Sequence, residues 1–90
     1  MRTIDRTNQF KRDYKREKRG SLKVDELLAP IIERLAADGE MPERLRDHTL
    51  SGEWKGCREC HVRPDLLLIY TKSPQRLTLI RLGSHSELFD

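Results

Sequence analysis

Residues 54–82 read WKGCRECHVRPDLLLIYTKSPQRLTLIRL, and three stretches within them have strand character. Apolar and polar residues alternate from Trp54 to Val62, the chain is continuously apolar from Leu66 to Ile69 and ends in Tyr70-Thr71, and alternation returns from Leu77 to Leu82. Two breaks rich in turn-forming residues, Arg63-Pro64-Asp65 and Lys72-Ser73-Pro74-Gln75, join these stretches into an antiparallel three-strand meander. Successive side chains on a strand point to opposite faces. In the first strand Trp54, Gly56, Arg58, Cys60 and Val62 therefore share one side, with Trp54 and Val62 marking it as the core side. Lys55, Cys57, Glu59, His61 and Arg63 share the other. In the last strand Arg81 falls with Leu77 and Leu79, opposite the core-type Ile80 and Leu82, so His61 and Arg81 are expected to face one concavity.

Upstream, residues 2–6 suit only a short edge strand, and Thr7 or Asn8 can cap a helix that carries Phe10 and Tyr14 one turn apart and stops at Gly20. Ser21 is placed to cap a second helix, in which Val24, Leu27, Leu28, Ile31, Ile32 and Leu35 follow the spacing of one apolar stripe. Pro30 interrupts that pattern and predicts a kink or a restart, because proline lacks the backbone donor and crowds the carbonyl four residues back. Asp38-Gly39 closes the helix, and Met41 to Gly52 reads as a loop of about a dozen residues that holds His48. Gly83 ends the last strand, and residues 84–90 form a short C-terminal turn over the sheet. The expected fold is α+β in the order β-α-α-β-β-β. Both N-terminal helices cover one face of a small, mostly antiparallel four-stranded sheet, and the other face is open. Ninety residues make one domain, 1–90, since so short a chain cannot divide its apolar residues between two cores.

Hydrophobic residues are 36% of the chain and charged residues 37%, which leaves a thin core. No apolar run approaches the roughly 20 residues of a bilayer span. Met1 to Asp5 lacks the apolar stretch of a signal peptide, so a cytoplasmic location and no membrane partner are expected. Two cysteines, Cys57 and Cys60, are too few for a disulfide framework. The net charge of +3 is unevenly spread: residues 1–19 carry +5, residues 20–46 carry −2, and residues 47–90 are neutral. Lys11, Arg12, Lys15, Arg16, Lys18 and Arg19 put the positive field on the first helix, where phosphates or an acidic partner would meet it.

The chemistry-bearing residues gather in the second half. His48, His61 and His85 each fall near the end of a strand or in a loop, with Asp65 and Arg81 close by. Histidine titrates near neutrality, so several beside a carboxylate can divide acid and base duty without a cofactor. Cys57-Arg58-Glu59-Cys60-His61 has the spacing of covalent haem attachment, but strand residues three apart face opposite ways and the two sulfurs cannot meet one porphyrin edge. His48, His61, His85 and Cys57 could be counted as zinc ligands, yet histidine separations of 13 and 24 residues match no compact zinc pattern. No metal and no cofactor are expected. Cleavage of RNA needs a base for the ribose 2′-OH, a cation beside the phosphorane and an acid for the departing 5′-oxygen. His48, His61, Asp65, Arg81 and His85 supply these types, each proton-transfer partner contributing about 10²–10⁴ in rate.

Three blocks then carry a resemblance. Asp47-His48-x-Leu50-x-Gly52-x-Trp54-Lys55-Gly56-x-Arg58, His61-Val62-x-Pro64-Asp65-x-Leu67-Leu68-Ile69-Tyr70 and Arg81-x-Gly83-x-His85-x-x-Leu88-Phe89 occur in order. They closely resemble the YafQ branch of the RelE/ParE toxin superfamily. The resemblance implies a RelE-like fold and a bacterial type II toxin that cuts mRNA in the A site of the 70S ribosome, beside 16S rRNA. It further implies a cognate antitoxin that silences the toxin and through which alone operator DNA is met. Carried over residue by residue, it implies His85 as general acid, Asp65 or His61 as base, Arg81 as phosphate stabiliser, His48 as orienter of the scissile phosphate and Phe89 as a base-stacking surface. The basic helix, Lys11, Arg12, Lys15 and Arg16 included, is expected to add binding to RNA or to an acidic antitoxin. Leu66 departs from the family pattern, where close relatives often carry tryptophan. With the catalytic types intact, an active toxin is expected. The competing reading is a non-catalytic binding module of the same fold, or a gyrase-targeting toxin of the ParE type.

Overall fold

The computed structural model describes residues 1–20 and 23–89. Ser21, the expected cap of the second helix, lies outside the described residues. The elements run β1 (Thr3–Arg6), α1 (Asn8–Gly20), α2 (Val24–Ala36), β2 (His48–Thr49), β3 (Arg58–Arg63), β4 (Leu66–Lys72), β5 (Arg76–Gly83) and α3 (His85–Phe89), with single 3₁₀ turns at Glu43–Leu45 and Gly52–Trp54. Thr7 caps α1, its hydroxyl accepting the Phe10 amide at 2.9 Å. The α2 helix is continuous through Pro30, so no restart occurs there; the ring sits on the exposed side while Val24, Leu28, Ile31 and Leu35 are buried. Asp38, rather than the glycine after it, takes the left-handed conformation that ends the turn, with φ of 56°.

The sheet has five strands in the order β1-β5-β4-β3-β2, not four. The meander β3-β4-β5 is antiparallel, and β1 lies parallel to β5. The added strand is β2, two residues inside the stretch expected to be loop, where His48 pairs with Glu59 and Thr49 with Arg58. So short a strand has no periodicity of its own; its position follows from β3.

Two apolar clusters line the two faces. On the helix side Phe10, Val24, Leu28, Ile31 and Leu35 meet Cys60, Val62, Leu68, Tyr70, Leu77, Leu79 and Leu82. On the opposite face Leu67, Ile69 and Leu88 of α3 are joined by the half-buried Leu50, Trp54, Cys57 and Ile80, so that face is partly roofed rather than open. Two expected facings are thereby corrected. Trp54 sits in a 3₁₀ turn on the second cluster and not with Val62, because Gly52 and Gly56 adopt positive φ (68° and 93°) and end the alternation before β3 begins. In β5, Leu79 and Leu82 share the helix side although they are three positions apart. The register skips Ile80: Tyr70 pairs with Leu79 and Ile69 with Arg81. One extra residue at this bulge turns Ile80 to the second cluster and keeps Arg81 on the same face as Ile69.

Where β1 ends, α1 takes over the edge of β5. Thr7 donates its amide to the Leu79 carbonyl at 3.1 Å and its hydroxyl to the Ile80 carbonyl at 2.8 Å. Asp13 accepts the Leu82 amide at 3.0 Å, and Arg16 donates to the Leu82 carbonyl at 2.8 Å. Thr7, which caps α1, and the side chains of Asp13 and Arg16 thus supply the partners that a longer β1 would have given the strand.

Candidate functional site

The sheet aligns the candidate residues on the face away from α2. His48, Glu59, Ile69 and Arg81 are consecutive cross-strand partners along β2-β3-β4-β5, and His61 lies in the neighbouring row opposite Leu67. Cross-strand partners project to the same side, so the pairing alone collects residues 33 positions apart. The α3 helix then brings His85 and Phe89 over the end of this row. Its first turn is a capping box: the Glu87 amide donates to the Ser84 hydroxyl at 3.2 Å, and the Ser84 amide to the Glu87 carboxylate at 2.8 Å.

The rings form a line. His48 and His61 have centroids 6.3 Å apart, His61 and His85 5.8 Å, and His85 and Phe89 6.2 Å. The first separation that matters, His61 to His85, is short enough for one phosphate to touch both imidazoles. Each of these two histidines has its own carboxylate. His85 meets Asp65 through its ring Nδ1 at 3.0 Å and its backbone amide at 3.1 Å. The amide donation, followed by the ring contact, holds the Asp65 carboxyl below the usual carboxylate range. His61 Nε2 lies 3.3 Å from Glu59, whose same oxygen is 3.5 Å from His48 Nε2. Glu59 is only 3% exposed, whereas His85 and Asp65 are open to solvent.

Arg81 shares the face, but its guanidinium turns to α1, with Nε 2.7 Å from Asp13. Of the basic residues on α1, Lys11 and Lys15 border a groove of about 650 Å³ between α1 and α2, on the helix side of the sheet. Arg12 donates to Gln9, and Arg16 is engaged by Asp13, Glu17 and Glu87. Leu66 is buried in the helix-side core, away from the histidine row.

Three residues that support the site carried no separate signal in the sequence. Glu59 was legible only as a neighbour of His61 on the same strand face. Asp47 sits directly before His48 and accepts hydrogen bonds from the buried Tyr70 hydroxyl and from Arg58, whose Nη2 is 3.2 Å away. Burial pushes the Tyr70 hydroxyl up, and the hydrogen bond to Asp47 adds to the shift. Asp13 is, by sequence, one acid in a strongly basic segment, and in the structure it is fully buried. The two cysteines face opposite ways: Cys60 lies in the helix-side core, where burial raises its thiol to about 12, and Cys57 touches the second cluster. Glu59, His61 and His85 offer ligand atoms within 4.8 Å of one another, and Glu59 with His61 provides the two donors on one rigid element that the histidine spacing alone does not.

Comparison with known proteins gives one family. Residues 2–90 match the family described as bacterial toxin of type II toxin-antitoxin system, YafQ. The mRNA interferase toxin YafQ of Escherichia coli strain K12 is 32% identical over 89 residues, 99% of this chain and 97% of that protein. Among solved structures, a metal-bound toxin from Helicobacter pylori is 41% identical with a TM-score of 0.91, covering 99% of this chain and 100% of that one. The E. coli DinJ-YafQ complex gives 33% identity and a TM-score of 0.89 over the whole of both chains. No helix among the described residues is long and apolar enough to cross a membrane. With matching sequence over nearly all of its length and a matching fold, the chain belongs to the YafQ family of bacterial type II toxins.

Proposed function

We propose that this chain is a toxin of one domain that cuts mRNA as an endoribonuclease in the ribosomal A site by acid–base catalysis and is neutralised by a cognate antitoxin. The observation that carries the reading is the pair of imidazoles, His61 and His85, 5.8 Å apart and each backed by a carboxylate. That is the arrangement in-line phosphoryl transfer needs. His61, with Glu59 behind it, takes the proton of the ribose 2′-OH as its oxygen bonds to phosphorus. His85, held by Asp65, protonates the 5′-oxygen as its bond to phosphorus breaks. The products are a 2′,3′-cyclic phosphate and a 5′-hydroxyl. Asp65, already committed to the amide and ring of His85, suits an orienting role better than that of base, and this favours His61 for the latter. Arg81 offsets the phosphorane charge, His48 steadies the scissile phosphate beside Glu59, and Phe89 offers a ring for a base to stack on.

The exposed Lys11, Arg12 and Lys15 suit the phosphates of RNA or the acidic groups of an antitoxin. The α1–α2 groove, apolar along Phe10, Leu28 and Ile32 with Lys11 and Lys15 at its border, suits an amphipathic antitoxin segment. The DinJ-YafQ complex of the relative supports an antitoxin partner here. The metal-bound relative raises an ion as well, and in this chain Glu59, His61 and His85 would hold it. Such an ion would supply positive charge to a phosphate while occupying the nitrogens that acid–base transfer uses.

Primer extension on cellular mRNA after induction tests the reading. Discrete cuts and growth arrest are expected, with both lost in His85→Ala and in Glu59→Gln at an unchanged circular dichroism spectrum. Growth arrest that persists in His85→Ala, or broken DNA in place of cut mRNA, would overturn it in favour of a binding module or a gyrase poison.

A further inference from the structure

Asp13 is fully buried on α1, outside the histidine cluster, and donors crowd it. It receives Arg81 Nε at 2.7 Å and Nη2 at 3.3 Å, the Leu82 amide at 3.0 Å, Arg16 Nη1 at 3.0 Å and Gln9 Nε2 at 3.2 Å. A carboxylate withdrawn from water persists only where donors replace its hydration, and these do. Arg81 receives a defined orientation in return. Two of its nitrogens are fixed on the two oxygens of one rigid acceptor, and Nη1 has no protein partner among the described residues. Arg81 also stands in the cross-strand row of Glu59 and His48.

We infer that Asp13 is a positioning residue that holds the Arg81 guanidinium through Nε and Nη2 so that Nη1 meets the scissile phosphate. The inference rests on the nuclease reading given above. Two features of the geometry fit it. The forked contact restrains rotation about the guanidinium axis, which a single hydrogen bond would not do. Arg16 Nη1 shares the Asp13 carboxylate, so the acceptor that fixes Arg81 is itself anchored from its own helix. Arg16 extends the same joint to α3, since it lies 3.2 Å from Glu87 in the capping box that seats His85. The N-terminal helix therefore sets both the cation and the acid of the site from behind.

The alternative is that Asp13 only satisfies the strand edge at Leu82. Single-turnover cleavage of ribosome-bound mRNA by the full chain separates the two, using Asp13→Asn, Arg81→Ala and the double variant. The expected result is a rate lowered about tenfold to hundredfold in Asp13→Asn with RNA affinity within about threefold of wild type, and a double variant no slower than Arg81→Ala alone. Losses that multiply in the double variant, or an Arg81→Ala variant as fast as wild type, would overturn the assignment. Should Asp13→Asn fail to fold, Arg81→Lys replaces it: lysine keeps the charge but cannot span both carboxylate oxygens, so a loss of at least about tenfold at an intact fold is expected, and full activity refutes the idea. A wild-type chain that cuts no RNA would instead defeat the nuclease reading, which these comparisons among active variants leave untouched.

Discussion

Replacing Gly83 by alanine should separate the fold from the site. Gly83 ends β5 opposite Leu67, immediately before the α3 capping box, and its backbone needs no positive φ, so alanine fits the strand. The added methyl would stand 2.9 Å from Arg16 Nη2, 3.0 Å from Glu87 Oε1 and 3.3 Å from Leu88 Cδ2. Ordinary contact begins near 3.4 Å, so the two charged ends must each retreat by about half an ångström. Both are half-buried or more exposed tips of flexible side chains, and stability should change little, with the melting midpoint moving less than about 4 °C. The site should suffer more. Arg16 Nη2 also donates to the Leu82 carbonyl at 2.8 Å and Glu87 Oε1 accepts the Ser84 amide, so their retreat loosens the joint that seats His85 and Phe89. Since a misplacement of about 1 Å costs on the order of 10² in rate, half that shift predicts a loss of about tenfold. Single-turnover cleavage together with a thermal melt would measure both quantities. A variant that cleaves within about twofold of wild type would refute the idea that this joint governs the acid, and one that melts far lower would show that the glycine serves the fold instead.

Tyr70→Phe should act in the opposite sense. It removes a hydrogen bond to the Asp47 carboxylate from the core and leaves Arg58 on that carboxylate, for a cost of about 1.5 kcal/mol and a melting midpoint lower by roughly 6–12 °C, read by circular dichroism. Acid should destabilise the protein. Hydrogen bonds from the His85 amide and ring depress the Asp65 carboxyl, the Ser84 amide depresses Glu87, and at Asp13, where burial alone would raise it, Arg81 and the Leu82 amide prevail. Groups with depressed folded values stabilise above the ordinary carboxylate range and lose that contribution as pH falls through the folded value, so the melting temperature should be level near neutrality and fall below about pH 4; a melt indifferent to acid would contradict this. Zinc at micromolar concentration should slow cleavage by occupying His61 and His85, with activity restored by chelation; zinc that binds, by calorimetry, without affecting cleavage would show that the ion sits elsewhere.

The α2 stripe, the capped start of α1 and the three-strand meander were legible because each rests on local periodicity or turn chemistry, which a single sequence displays. β2 was not, since two residues carry no period and pair only because β3 is already there. The facing of Arg81 was right for an incomplete reason: strict alternation set it with Leu77 and Leu79, while the bulge at Ile80 actually sends those leucines to the core. Glu59 and Asp13 were hidden for a common cause. Their roles depend on burial and on partners distant in sequence, and in a chain so rich in charge a carboxylate on a strand or helix looks like ordinary surface.

The borders of the sheet have a further consequence. One outer strand is four residues long and the other two, and beyond Leu79 the exposed side of β5 is filled by Thr7, Asp13 and Arg16. On the β5 side little ladder is left for another chain to extend. That border is closed to fibre-like pairing with a second copy, because its donors and acceptors are already taken within the chain.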